Sequence, residues 1–340
     1  MRKGRLSVLV APSWRRRFGA VLALMMSAGC GTGDIDRVEV ARNDEFVVVR
    51  AGFSDTAPML AQDYLDDAEK FWAIQEFNGT DRIVPGMEVV IPLKQVNPAG
   101  VSPNGYQTVP ILCYHRFTER ERSRQKLEIT KRGFYEQMQY LRDHGYRVIK
   151  LSELAQFFDQ AADIPPKSVV ITMDDGYKSI YDIAFPVLKE FGYPATVFIY
   201  SDFVGAEAGL SWDQMQEMVA SGLVDVQPHS KTHSNLTKLR AKDQADYARA
   251  VRNEIRDPAT LISRKLGERA YSFTYPYGAT NDAIVNELQR QGFQMGMTVK
   301  RGGNPAFASV YRLRRSQIYS TDDLSAFAKQ LKVFEQVDLR

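Results

Sequence analysis

Two acids, Asp174 and Asp175, stand side by side in VVITMDDGYKS, after a run of apolar residues and directly before Gly176. Adjacent carboxylates repel each other and resist desolvation, so a buried strand can end on them when a cation neutralises one of the pair. At a turning strand end, which the freedom of Gly176 at positive φ permits, both can reach one cavity. Ligands for a cation exist elsewhere: QPHSKTHSNL carries His229 and His233, four residues apart, beyond the apolar segment LVDV. In a helical turn that spacing stacks both imidazoles on one face. Two imidazole nitrogens and one carboxylate oxygen are a donor set that zinc-type ions favour, with a fourth position left for water. The alternative is a pair of solvated histidines at a helix start. Another apolar segment ends in YSFTYPYG, whose Pro276-Tyr277-Gly278 turn would bring backbone N–H groups close to a ligand. Of the other two histidines, His115 closes the strand-like VPILCYH, and His144 in LRDHGYRV falls at an expected helix end, where it would interact with the helix dipole.

These residues need elements to carry them. From Val109 onward, the apolar runs VPILCY, YRVIKL, SVVITM, ATVFIY, LVDVQ, YSFTY and FQMGMTV alternate with amphipathic stretches such as RGFYEQMQYLRDHG and NDAIVNELQRQG. Ser211 and Gln214 stand at capping-box spacing at the head of another. Strands apolar on both faces and separated by helices predict an α/β fold with a parallel sheet, and seven or eight of them favour a barrel. In such folds function gathers at the C-terminal edge of the strands, where all the motifs above fall.

The rest of the 340-residue chain divides by composition. Residues 1–29 combine six basic residues with the short apolar FGAVLALMM and the small residues SAG, which predicts an export signal too short to remain as a membrane span. SAGC, ending at Cys30, resembles the processing box of bacterial lipoproteins, which implies a membrane anchor at a lipidated Cys30; ordinary cleavage leaving a free thiol is the alternative. Without residues 1–29 the chain keeps 38 basic against 41 acidic residues, so no nucleic-acid partner is expected. Residues 30–45 are expected to form a polar tether, 46–94 a small βααβ unit, 95–108 a linker rich in Pro, Gly, Asn and Ser, and 109–340 the main domain. Through Asn78, Pro85-Gly86 and the closing VVIP, the βααβ unit resembles a LysM module, which implies binding of N-acetylglucosamine polymers.

TMDDG, HSKTH and YPYG, in this order at the ends of βα strands, resemble the signature motifs of polysaccharide deacetylases, the NodB-homology domain of carbohydrate esterase family 4. The resemblance implies an irregular (β/α) barrel of about seven strands. It also implies one divalent metal ion, zinc foremost, held by Asp175, His229 and His233. Asp174 would be the general base, and the backbone N–H of Tyr277 would help hold an oxyanion. The reaction implied removes acetyl groups from GlcNAc-containing polysaccharide or peptidoglycan in the cell envelope.

Two positions depart from the pattern. Thr274 stands where many members carry an arginine that pairs with the catalytic aspartate, and Arg312, Arg314 or Arg315 are the substitutes at hand. No histidine follows His233 to serve as general acid, which assigns that role to His115, as in the poly-N-acetylglucosamine deacetylase branch. The competing expectations are a wall-binding lipoprotein whose barrel has lost catalysis, and an O-acetyl esterase on the same scaffold.

Overall fold

In a computed structural model of the chain, the described residues are 36–339 apart from 95, 96, 98 and 160–163. The expected export signal and Cys30 lie outside them. Among the described residues, no helix is long and apolar enough to cross a membrane.

Residues 46–94 follow the expected order: strand Phe46–Arg50, helices Ala57–Leu65 and Phe71–Asn78, then strand Glu88–Pro92 paired antiparallel with the first. Val47, Val49, Leu60, Ile74, Val89 and Ile91 close its core. Thr56 caps the first helix through Met59 N. The Asn78 side chain donates to the carbonyls of Ile74 and Val90 and accepts from Val90 N, pinning helix to strand. The tether begins differently from expectation, because Val38–Arg42 adds a third strand against Phe46–Arg50. This strand is exposed throughout, so ladder hydrogen bonds hold it rather than burial. The linker is also shorter than expected, since Val101–Ser102 and Gly105–Gln107 form a hairpin extended by Phe334–Gln336.

All seven apolar runs of the main domain contain strands. Five parallel strands run in the order Val224–Pro228, Ala195–Ile199, Ser168–Met173, Ile111–Tyr114, Ser316–Gln317, with the short Arg147–Val148 also against Ser168–Met173. Ser272–Thr274 and Met295–Met297 form a separate parallel pair. Ser168–Met173 is buried at all six positions, as a central strand covered on both faces must be. The expected capping box forms at Ser211 and Gln214, at the head of Trp212–Ala220.

The ladders do not close into one continuous barrel among the described residues. Val224–Pro228 and Ser272–Thr274 share no backbone ladder, and side chains from alternate residues of the first strand join them instead. Tyr271 Oη donates to Asp225 Oδ2 at 2.6 Å. Gln227 Oε1 accepts from the backbone N–H of Tyr271 and Ser272, and His229 reaches the Thr274 carbonyl. A strand's period of two sends residues 225, 227 and 229 the same way, so one edge supplies all three stitches.

Candidate active site

Strand register sets the site. Met173 pairs with Tyr114, so the next residues, Asp174 and His115, leave neighbouring strands side by side. Ile199 pairs with Pro228, and His229 N donates to Ile199 O at 2.7 Å as the chain leaves that edge. Asp175 then adopts φ 72°, a left-handed conformation that turns the second carboxylate back toward the first. Gly176 repeats it at 72°, and a Cβ there would meet Ile199 Cγ2 at 2.8 Å, so only glycine fits this exit.

The histidine pair is brought together, though not by the expected helical turn. Residues 229–235 form an irregular loop with positive φ at Ser230 and His233. Ser230 Oγ accepts from His233 N at 2.9 Å. Glu254, a buried acid on the helix Gln244–Leu266, accepts from Lys231 N, Thr232 N and Thr232 Oγ1. The loop is therefore organised from outside by a carboxylate that the sequence reading did not single out; an acid on the inward face of a helix was the available signal. Glu254→Ala would leave the two backbone donors unpaired, at about 1–3 kcal/mol of stability. It should also weaken metal affinity by about 10–100-fold, the usual effect of disturbing the support of a ligand. Urea unfolding and a metal titration on one preparation check both.

His229 Nδ1 lies 2.8 Å from the Thr274 carbonyl, which can only accept, so Nδ1 carries the proton and Nε2 keeps its lone pair for a ligand. Nε2 faces Asp175 Oδ1 at 3.6 Å, and His233 Nε2 lies 3.2 Å from the same oxygen. Donors about 2.1 Å from a tetrahedral ion are about 3.4 Å apart; both separations to Asp175 Oδ1 are close to this, and all three atoms lie within 4.8 Å of one another. Asp175 Oδ1 is buried and accepts no hydrogen bond. The group Asp175, His229 and His233 thus fits a metal ion in spacing and in donor type.

Arg315, fully buried, grips Asp174 with both ends of its guanidinium, at 2.7 Å to Oδ1 and 2.6 Å to Oδ2. This selects one of the three arginines offered by the sequence. Arg312 pairs with Asp282 on the surface, and the side chain of Arg314 lies against Gly302. Burial raises the Asp174 carboxyl, but Arg315 and His229 outweigh it and hold the group well below the usual carboxylate range. Burial likewise opposes ionisation of Asp175, and His233 and His229 hold it down.

His115 is buried beside them, its Nδ1 without a hydrogen-bond partner. Tyr277, 65% exposed, adopts φ 61° in the Pro276–Gly278 turn, and its ring centroid lies 4.9 Å from that of His233. His144 is elsewhere, capping the helix Lys131–Asp143 and stacked on Tyr140, as its position in the sequence suggested.

Burial pushes both His115 and His229 below the usual histidine value, against the pull of Asp174 and Asp175. A depressed folded-state pKa means that the unfolded chain binds the proton first. The metal-free protein should therefore hold this contribution above about pH 6.5 and lose it as pH falls through the folded values. Chemical unfolding midpoints at about pH 7.5 and about pH 5.5 test the sign.

Fold and site are those of a hydrolase similar to polysaccharide deacetylases, and residues 161–296 match the family model described as polysaccharide deacetylase. The chain is similar to YxkH of Bacillus subtilis, at 29% identity over 224 residues, 66% of this chain and 76% of the relative. It is also similar to the poly-beta-1,6-N-acetyl-D-glucosamine N-deacetylase of Staphylococcus epidermidis, at 28% over 214 residues, 61% of this chain and 73% of that protein. Among solved structures, IcaB from Ammonifex degensii superposes with a TM-score of 0.59 at 29% identity, over 67% of this chain and 99% of that one.

Proposed function

We propose that the protein is an exported, zinc-dependent hydrolase that removes N-acetyl groups from a GlcNAc-containing polysaccharide and releases acetate. The observation that carries this reading is the gathering of His115, Asp174, Asp175, His229 and His233 at adjoining strand ends, with Arg315 clamped on Asp174. The named activity of the S. epidermidis relative favours poly-N-acetylglucosamine as the polymer, with peptidoglycan the second substrate to test.

An amide is a poor electrophile with a poor leaving group, so its hydrolysis needs an activated nucleophile, stabilised charge and a proton for the amine. A divalent ion held by Asp175, His229 and His233 would acidify water and polarise the acetyl carbonyl. Asp174 is kept ionised and fixed in orientation by Arg315, and takes the proton from the attacking water. The N–H of Tyr277, presented by its left-handed turn, stabilises the oxyanion. His115 delivers a proton to the departing sugar nitrogen; the buried carboxylates around it favour its charged form, opposing the effect of its burial.

The reading extends to the βααβ unit as a LysM-like module that keeps the enzyme near its polymer, and to a lipid anchor at Cys30 in the cell envelope. Acetate release by the zinc-loaded protein on poly-N-acetylglucosamine, chitin oligomers, peptidoglycan and an O-acetylated polymer tests the substrate. No release from any N-acetylated substrate sinks it. His115→Ala should retain metal and lose about 10²–10⁴-fold in turnover; unchanged turnover rejects the acid assignment.

A further inference from the structure

On the outer flank of the main domain lies a cavity of about 890 Å³. Its wall starts at the site's mouth, with Gly278 and Val299, and continues along the segment 312–316 and under the C-terminal segment. Arg314 and Arg315 are successive residues of an extended segment and so project to opposite sides. Arg315 enters the catalytic centre, while Arg314 lines the cavity.

The cavity is strongly cationic. Lys300, Arg301, Arg312, Arg314, Lys329 and Lys332 all line it. Only two of these have ion-pair partners among the described residues, Arg312 with Asp282 and Lys332 with Glu335. This contrasts with the slight excess of acid in the chain after residue 29. The backbone of Arg314 is also held in place. The buried Asn304 side chain accepts from Arg314 N at 2.8 Å and donates to Arg314 O at 2.9 Å, and Gly302 packs so closely that a Cβ there would lie 2.9 Å from Arg314 Cδ. A cation positioned by the fold and left without a counter-charge is arranged for an anion from outside.

Two further features narrow the ligand. Gln330 lines the cavity and is 7% exposed, and its buried Oε1 has no hydrogen-bond partner; a turn of this side chain toward the cavity would give the acceptor a ligand donor such as a hydroxyl. At the rim Phe307 is 64% exposed and rests edge-on against Tyr106, offering a flat apolar face. Negative charge, hydroxyl groups and a flat ring with an apolar face describe a sugar bearing acidic groups.

The geometry points to a second glycan site: this cavity binds a phosphate- or carboxylate-substituted carbohydrate segment, beside and distinct from the deacetylation centre. It extends the functional reading above, because an acidic glycan lying here would lead its neighbouring residues over Gly278 to the mouth of the site.

The test is equilibrium binding to the zinc-loaded protein at low and high salt. The probes are a glycosylated glycerol phosphate oligomer, an oligogalacturonate and neutral chitotetraose, with the native protein and the Arg301→Ala/Arg314→Ala variant compared. At least one anionic probe should bind, weaken with salt, and lose about tenfold or more in the variant, with chitotetraose unaffected. Which probe responds identifies phosphate or carboxylate. Absence of anionic binding by the native protein, or equal affinity in a variant with unchanged thermal unfolding, overturns the proposal. Acetate release from poly-N-acetylglucosamine, chitin oligomers and peptidoglycan together is read in parallel. If the native protein releases none while anionic binding holds, the deacetylase reading fails and this one stands; the reverse result overturns this one alone.

Discussion

Arg315→Met should cost the folded protein about 3–5 kcal/mol and nearly abolish acetate release. The guanidinium and the Asp174 carboxylate are both almost fully buried and meet through two short hydrogen bonds. Removing Arg315 leaves a buried carboxylate that His229 compensates only in part. In the native protein Asp174 is depressed below the usual carboxylate value, so its ionised form contributes stability above that value and loses it as pH falls through the folded one. Without Arg315 the burial that opposes ionisation has less to offset it, and protonation relieves part of the cost. The deficit of the variant should therefore be larger at about pH 7.5 than at about pH 5.5. Asp174→Asn/Arg315→Met removes both charges and should recover most of the lost stability while remaining inactive. Urea unfolding of the native, single and double variants at both pH values measures this; a single variant as stable as the native protein would show that the pair is not an isolated buried one.

His229→Ala should eliminate metal uptake and with it acetate release, and Asp175→Asn should do the same. Zinc binding to the native fold at about a thousand times its dissociation constant should add about 4 kcal/mol of stability. That increment should vanish in both variants, because each removes one of three donors gathered within 4.8 Å of one another. Thermal unfolding with and without zinc reads the effect independently of any substrate. Full zinc stabilisation of His229→Ala would remove the site from the catalytic account.

The central strands were legible because burial on both faces writes itself as unbroken apolar runs, and Ser168–Met173 is the plainest case. Asp174, Asp175 and Gly176 could be placed at a turning strand end for the same reason. The conformation of the histidine loop was not legible: four-residue spacing fits a helical turn, but the hydrogen bonds that Glu254 supplies from a distant helix favour an irregular path with two left-handed residues. The choice among Arg312, Arg314 and Arg315 was equally hidden, since strand alternation separates neighbours only once the register is known. Thr274 looked like a missing arginine in sequence. In the fold its carbonyl fixes the tautomer of His229, with its hydroxyl 2.5 Å from the same nitrogen; the carbonyl's part in this leaves no mark on residue identity. The hairpin at residues 101–107 escaped because its partner, Phe334–Gln336, lies more than two hundred residues away.

The side-chain stitching between Val224–Pro228 and Ser272–Thr274 makes the imidazole of His229 a rivet across a seam that has no continuous backbone weave. Breathing at this line would swing the ring before it disturbed either neighbouring ladder, so affinity for the ion and tightness of the seam are one mechanical property. Loading the centre should accordingly slow amide exchange at residues 271–274, although none of them donates a ligand.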